Sequence, residues 1–282
     1  MPFDTFLLRA NDLSIPWTVK ILSVIHRLLL LMFFFPLTAL SQESFTHQLF
    51  WLRLTFADTI NEKLEWEFGI QRRTQNNYAS DANLFHSFQF EGYSPSIKYN
   101  FSEKFNVSVM PLGFYRSHPL NVQQADWLRP SSTEWRSNVQ VGYETDLRYF
   151  TLLNRLAMDY RRRDFPGADH FQNNWRLRYM VRVEKEVLGI LSDVKPVTFT
   201  IFDEVFFQFG DAVKNNKYIF DQNRLYFGAS YEVLRNITFS LGYAYGFQMR
   251  PSGEQCDNIN SLYIAVAFDN LFSQFSRPRS SL

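Results

Sequence analysis

From Gln42 to about Phe272, polar and apolar residues alternate in one run after another, the period of an extended strand with two unlike faces. The clearest case spans Phe220 to Phe247. In its first arm Leu225, Phe227, Ala229, Tyr231 and Val233 fall on one side, and Arg224, Tyr226, Gly228, Ser230 and Glu232 on the other. After the turn Leu234-Arg235-Asn236, Ile237, Phe239, Leu241, Tyr243, Tyr245 and Phe247 oppose Thr238, Ser240, Gly242, Ala244 and Gly246. Each arm is about as long as the ~9–11 residues that carry a tilted strand across a bilayer, so the pair reads as a transmembrane hairpin.

The same pattern predicts strands over Leu49 to Ala57, Lys63 to Arg73, Leu84 to Tyr99, Phe105 to Tyr115, Trp135 to Glu144, Phe150 to Arg163, Trp175 to Glu184, Val197 to Phe209 and Leu262 to Phe268. Phase breaks at Ser94-Pro95 and Pro111 predict bulges in two adjacent strands that bend together. Connections alternate short and long, as in barrels with tight turns at one rim and larger loops at the other. The direct count is about eleven. Single-chain bacterial barrels favour even numbers, which makes twelve the first expectation and ten the second.

Which face looks outward follows from bulk. The apolar face carries Trp, Phe, Tyr and Leu in nearly every strand, too much volume for the inside of a closed barrel. The expected fold is therefore all-β, an antiparallel transmembrane up-and-down β-barrel; a soluble two-sheet sandwich is the alternative that could bury those side chains. Trp135 and Trp175, at strand starts after long loops, suit an aromatic girdle. Gly142-Tyr143 and Gly242-Tyr243 place glycine inside and tyrosine outside, for packing relief.

Composition sharpens this picture. Aromatic residues make up 18% of the 282-residue chain, yet mean hydropathy is only −0.24, as expected when apolar and polar faces cancel. A net charge of +1 argues against a nucleic-acid footprint. The one strongly apolar run, Leu28 to Leu40, follows Lys20, His26 and Arg27 and ends in Ala39-Leu40-Ser41. It is shorter than a spanning helix, so residues 1–41 are expected to be a leader with a cleaved signal and 42–282 the barrel domain. Cys256, the sole cysteine, falls in an expected loop and excludes an intrachain disulfide.

Inward positions carry the charges. Arg136, Arg155, Asp159, Arg161, Arg163, Arg176, Arg178, Arg182 and Glu184 are expected to form a cationic wall, with Glu65, Glu67, Glu204, Arg224 and Glu232 contributing from other strands. Such groups are tolerated within a membrane only when paired or wetted, so they either knit into a plug of ion pairs or line a passage favouring anions. Glu204 faces inward and Asp203 outward, which rules out a paired carboxylate site on adjacent strand positions. A lipid- or lipopolysaccharide-modifying hydrolase would need a Ser-His pair at the rim. That hydrolase is the alternative reading: of the mature histidines His47, His86, His118 and His170, His86-Ser87 is a poor dyad because its members point to opposite faces, while His118 and His170 fall in expected outer loops. No phosphate-binding loop or metal-ligand cluster appears, so no cofactor is expected.

The order of short motifs adds a further reading. Glu65-Trp66-Glu67 through Arg72-Arg73, Asn154-Arg155-Leu156 with Arg161, Arg176-Leu177-Arg178-Tyr179, Asp203-Glu204-Val205-Phe206, and Asn223-Arg224 followed by Gly242-Tyr243 together resemble the outer-membrane barrels of domain of unknown function 2490. The resemblance implies an outer-membrane location and a barrel, and supplies no reaction or catalytic residue. The expected protein is structural or a narrow porin-like passage. Its expected partners are outer-membrane lipid, lipopolysaccharide and small anionic solutes.

Overall fold

A computed structural model describes residues 43–77 and 82–275; the expected leader lies outside the described residues. The chain folds into eleven strands: β1 (Glu43–Thr59), β2 (Leu64–Gln75), β3 (Ser87–Asn100), β4 (Phe105–Ser117), β5 (Ser132–Asp146), β6 (Thr151–Asp164), β7 (Gln172–Val187), β8 (Val197–Phe209), β9 (Phe220–Leu234), β10 (Ile237–Met249) and β11 (Gln255–Phe268). Each pairs antiparallel with the next, and the sheet closes where β1 meets β11. That last pairing is parallel, from Glu43 opposite Gln255 to Phe56 opposite Phe268. Parallel closure follows from the odd count, since the first and last of eleven up-and-down strands run the same way. It also brings the start of β1 to the rim that carries the longer loops.

Following the register once around the barrel, from Thr59 through Glu65 and on to Asp257, returns to β1 at Phe45 rather than at Thr59. This stagger tilts the strands and closes every edge, as backbone satisfaction in lipid requires.

Burial is inverted relative to a soluble protein. Ile97, Val139, Leu156, Ile201, Phe227 and Leu241 are exposed on the outer wall, whereas Asn138, Asp159, Asn174, Arg176 and Glu204 are buried within. Aromatic contacts gather toward both rims. Phe114 meets Trp135 at 5.0 Å and Tyr160 meets Trp175 at 4.8 Å on the long-loop side; Phe56 stacks on Phe268 at 5.1 Å on the other. With the sheet closed, the sandwich alternative does not apply.

The bulges lie where the prolines place them. The β3–β4 register slips between Tyr93 and Ile97, and the β4–β5 register between Met110 and Gly113. Inward glycines make room for a ring: a Cβ at Gly242 would come within 2.6 Å of Tyr226, which lies across Gly228 and Gly242. The final strand starts earlier than its apolar alternation shows, at Gln255, so Cys256 is a buried strand residue and not a loop residue. Asp257, Ile259 and Ser261 mask that start, because an inward face of mixed polarity hides a period of two.

Candidate functional site in the lumen

Three carboxylates organise the inner wall. Register sets Arg136 of β5 directly opposite Arg161 of β6, a like-charge pair that is unfavourable by itself. Glu134 resolves it: its Oε1 accepts from Arg136 Nε at 2.7 Å and Arg161 Nε at 3.0 Å, its Oε2 accepts from Arg161 at 2.6 Å, and Arg163 stands 3.8 Å away. On the neighbouring strands Asp159, fully buried, accepts from Arg176 Nε at 2.9 Å and from Asn138 at 2.6 Å, with Arg178 at 3.4 Å. Glu204 of β8, 3% exposed, accepts from Arg155 at 2.8 Å and lies 3.7 and 3.8 Å from Arg178 and Arg224. Each carboxylate is thus shared among several guanidiniums, and the planar fork of arginine suits that sharing.

Aromatic rings carry the remaining cation faces. Phe206 lies under Arg176 at 5.2 Å and Arg224 at 5.1 Å, and Tyr115 under Arg136 at 4.1 Å. Trp51 of β1 takes Arg73 at 3.9 Å and Arg224 at 5.0 Å. Strands distant in sequence therefore meet across the lumen in one belt.

The belt brings together Arg136, Arg155, Asp159, Arg161, Arg176, Arg178, Glu204 and Arg224 from among the residues singled out by sequence. Others stand toward the short-turn rim. Arg182 pairs with Glu184 at 3.3 Å, Glu65 with Lys98 at 2.6 Å, and Glu67 with Arg53 at 3.1 Å. Glu232 reaches Lys195 at 3.4 Å and Asn236 N at 2.9 Å, outside the belt, because its strand position is next to a two-residue turn.

Sequence reasoning missed Glu134, whose inward parity with Arg136 was legible, and Asp221, which accepts from Gln208 at 2.9 Å. It also missed a rim cluster in which Asp257 accepts from Arg250 at 2.6 Å and faces His47 Nε2 at 2.8 Å. No periodic signal links His47 to Asp257, which meet only through barrel closure.

Neither histidine that adjoins a serine in the sequence is hydrogen-bonded to it among the described residues. His86 stacks on Trp127 at 4.8 Å, Ser87 accepts from Asn121 at 3.0 Å, and Ser117 pairs with Ser132 at 2.9 Å. Burial, together with the neighbouring Arg116, pushes the His118 imidazole below its ordinary pKa. No group of three His, Cys, Asp or Glu side chains is placed to hold a metal among the described residues.

A closed sheet, an apolar outer wall and a charged inner one define the class: a β-barrel of the outer-membrane type. Within that class the chain belongs to the family described as "Protein of unknown function (DUF2490)", which matches residues 48–257. Among solved structures it is similar to LpxR from Salmonella typhimurium, with 9% identity and a TM-score of 0.43 over 72% of this chain and 83% of that one. It is also similar to the ferric enterobactin receptor PfeA of Pseudomonas aeruginosa, in an R480A/Q482A mutant, with 11% identity and a TM-score of 0.27 over 67% of this chain and 35% of the receptor. No curated protein matches the chain.

Proposed function

We propose that the protein resides in the outer membrane with its long-loop rim outward, and that its lumen is a narrow passage for small anions whose constriction is the arginine belt. One observation carries this reading. The inner wall sets eight guanidiniums, those of Arg73, Arg136, Arg155, Arg161, Arg163, Arg176, Arg178 and Arg224, against four carboxylates, those of Glu134, Asp159, Glu204 and Asp221, the last held by Gln208. A fixed positive excess inside a low-dielectric wall draws mobile anions and repels cations, as charged rings do in pores.

Single-channel recording of the refolded barrel in a planar bilayer tests it. Steps with a reversal potential on the anion side are expected, and the double variant Arg176→Gln/Arg178→Gln is expected to move that potential toward zero. Cation preference, or silence from a demonstrably folded barrel, would reject the passage and leave the belt as a set of internal cross-links.

A further inference from the structure

Around Trp51 the belt is incomplete, and what it lacks is an acceptor. Arg73 is opposite Trp51 in the β1–β2 register, with its guanidinium 3.9 Å from the indole and 4.8 Å from the Phe90 ring. Unlike the other belt arginines it makes no ion pair with a carboxylate among the described residues. Arg224 shares the same indole, and its carboxylate, Glu204, is 3.8 Å away and also held by Arg155 and Arg178. Two donors here, Trp51 Nε1 and Arg73 Nε, are buried without a hydrogen-bond partner.

Buried donors and like charges without acceptors are unfavourable, and a ring face attracts a cation without neutralising it. The missing component is negative, carries several acceptor oxygens and fits between forked donors. We infer that the lumen around Trp51, Arg73 and Arg224 is a binding site for one multivalent oxyanion of the phosphate class. The inference rests on the anion-passing reading in that the anion must be admitted to the lumen.

The test measures binding at equilibrium, separately from conduction. The refolded barrel in detergent micelles is heated in sodium phosphate and in sodium chloride of equal ionic strength. Phosphate is expected to raise the unfolding temperature saturably. Arg73→Gln and Trp51→Phe are each expected to weaken that response about tenfold or more, while Arg148→Gln, on an exposed turn, retains it. Trp51→Phe keeps an aromatic platform and removes the indole N–H, so it reports on the site even if the arginine variant does not fold. Equal shifts in phosphate and chloride, or a full phosphate response in both site variants, would overturn the proposal. Saturable phosphate binding by an electrically silent barrel would keep the site and discard the passage; anion-selective steps without a phosphate response would do the reverse.

Discussion

Strands β5 to β8 carry most of the arginine belt and also the mouth below it at the short-turn rim, yet the two regions differ in kind. In the belt, Glu134, Asp159 and Glu204 are almost excluded from solvent and each meets several guanidiniums. At the mouth, Glu144, Asp146, Glu184 and Glu186 line a polar cavity of about 450 Å³ with Thr151 and Thr198, and Glu184 has a single arginine beside it. The residue types and the alternation are the same. Position along the lumen decides whether a carboxylate is a cross-link or a solvated charge, because burial removes water as the competing partner.

The comparison is broken most severely by deleting a belt carboxylate. Asp159→Ala leaves Arg176 without its buried acceptor and Arg178 with Glu204 alone, and is expected to cost ~3–5 kcal/mol, read from urea unfolding of the barrel in lipid vesicles. Next comes Gly242→Ala, which leaves the charges alone but drives a methyl into Tyr226; about 1–3 kcal/mol of destabilisation is expected by the same assay. At the mouth, Glu184→Gln is expected to change stability by less than ~1 kcal/mol, since its pair with Arg182 is partly exposed. A mouth variant as damaging as the belt variant would erase the distinction.

The smallest expected effect is from pH, at the long-loop rim. His118 binds its proton less readily in the folded loop than in the unfolded chain. The unfolded state therefore takes up more protons in that window, so stability is intact above the ordinary histidine range near ~6.5 and is lost as pH falls through it toward the depressed folded value. Thermal midpoints measured at pH 7.5 and 5.5 should show a small drop in the wild type that His118→Gln removes. An unchanged drop in the variant would assign it to other groups.

Much of this architecture was legible in one dimension. The hairpin of β9 and β10, the bulges near Pro95 and Pro111, and the strand from Val197 to Phe209 all follow from local alternation and from proline's missing donor. Glu204 could be placed inside and Asp203 outside by parity alone, and the outer Asp203 accepts from Asn223 at 2.6 Å. What was not legible was partnership. Glu134 was passed over because an isolated glutamate near a strand start resembles any solvated residue, and only its three arginine neighbours distinguish it.

The sequence by itself determined which side chains point into the barrel and which outward, because a strand's period of two assigns faces without reference to any neighbour. The tertiary structure alone decided the rest. Closure of β1 on β11 in parallel set the strand number, and the stagger accumulated around the sheet set which inward residues share a level. Those two quantities bring Arg224 of β9 over Trp51 of β1 and His47 beside Asp257. They depend on register between strands whose ends lie far apart in the chain, and no local pattern encodes that register.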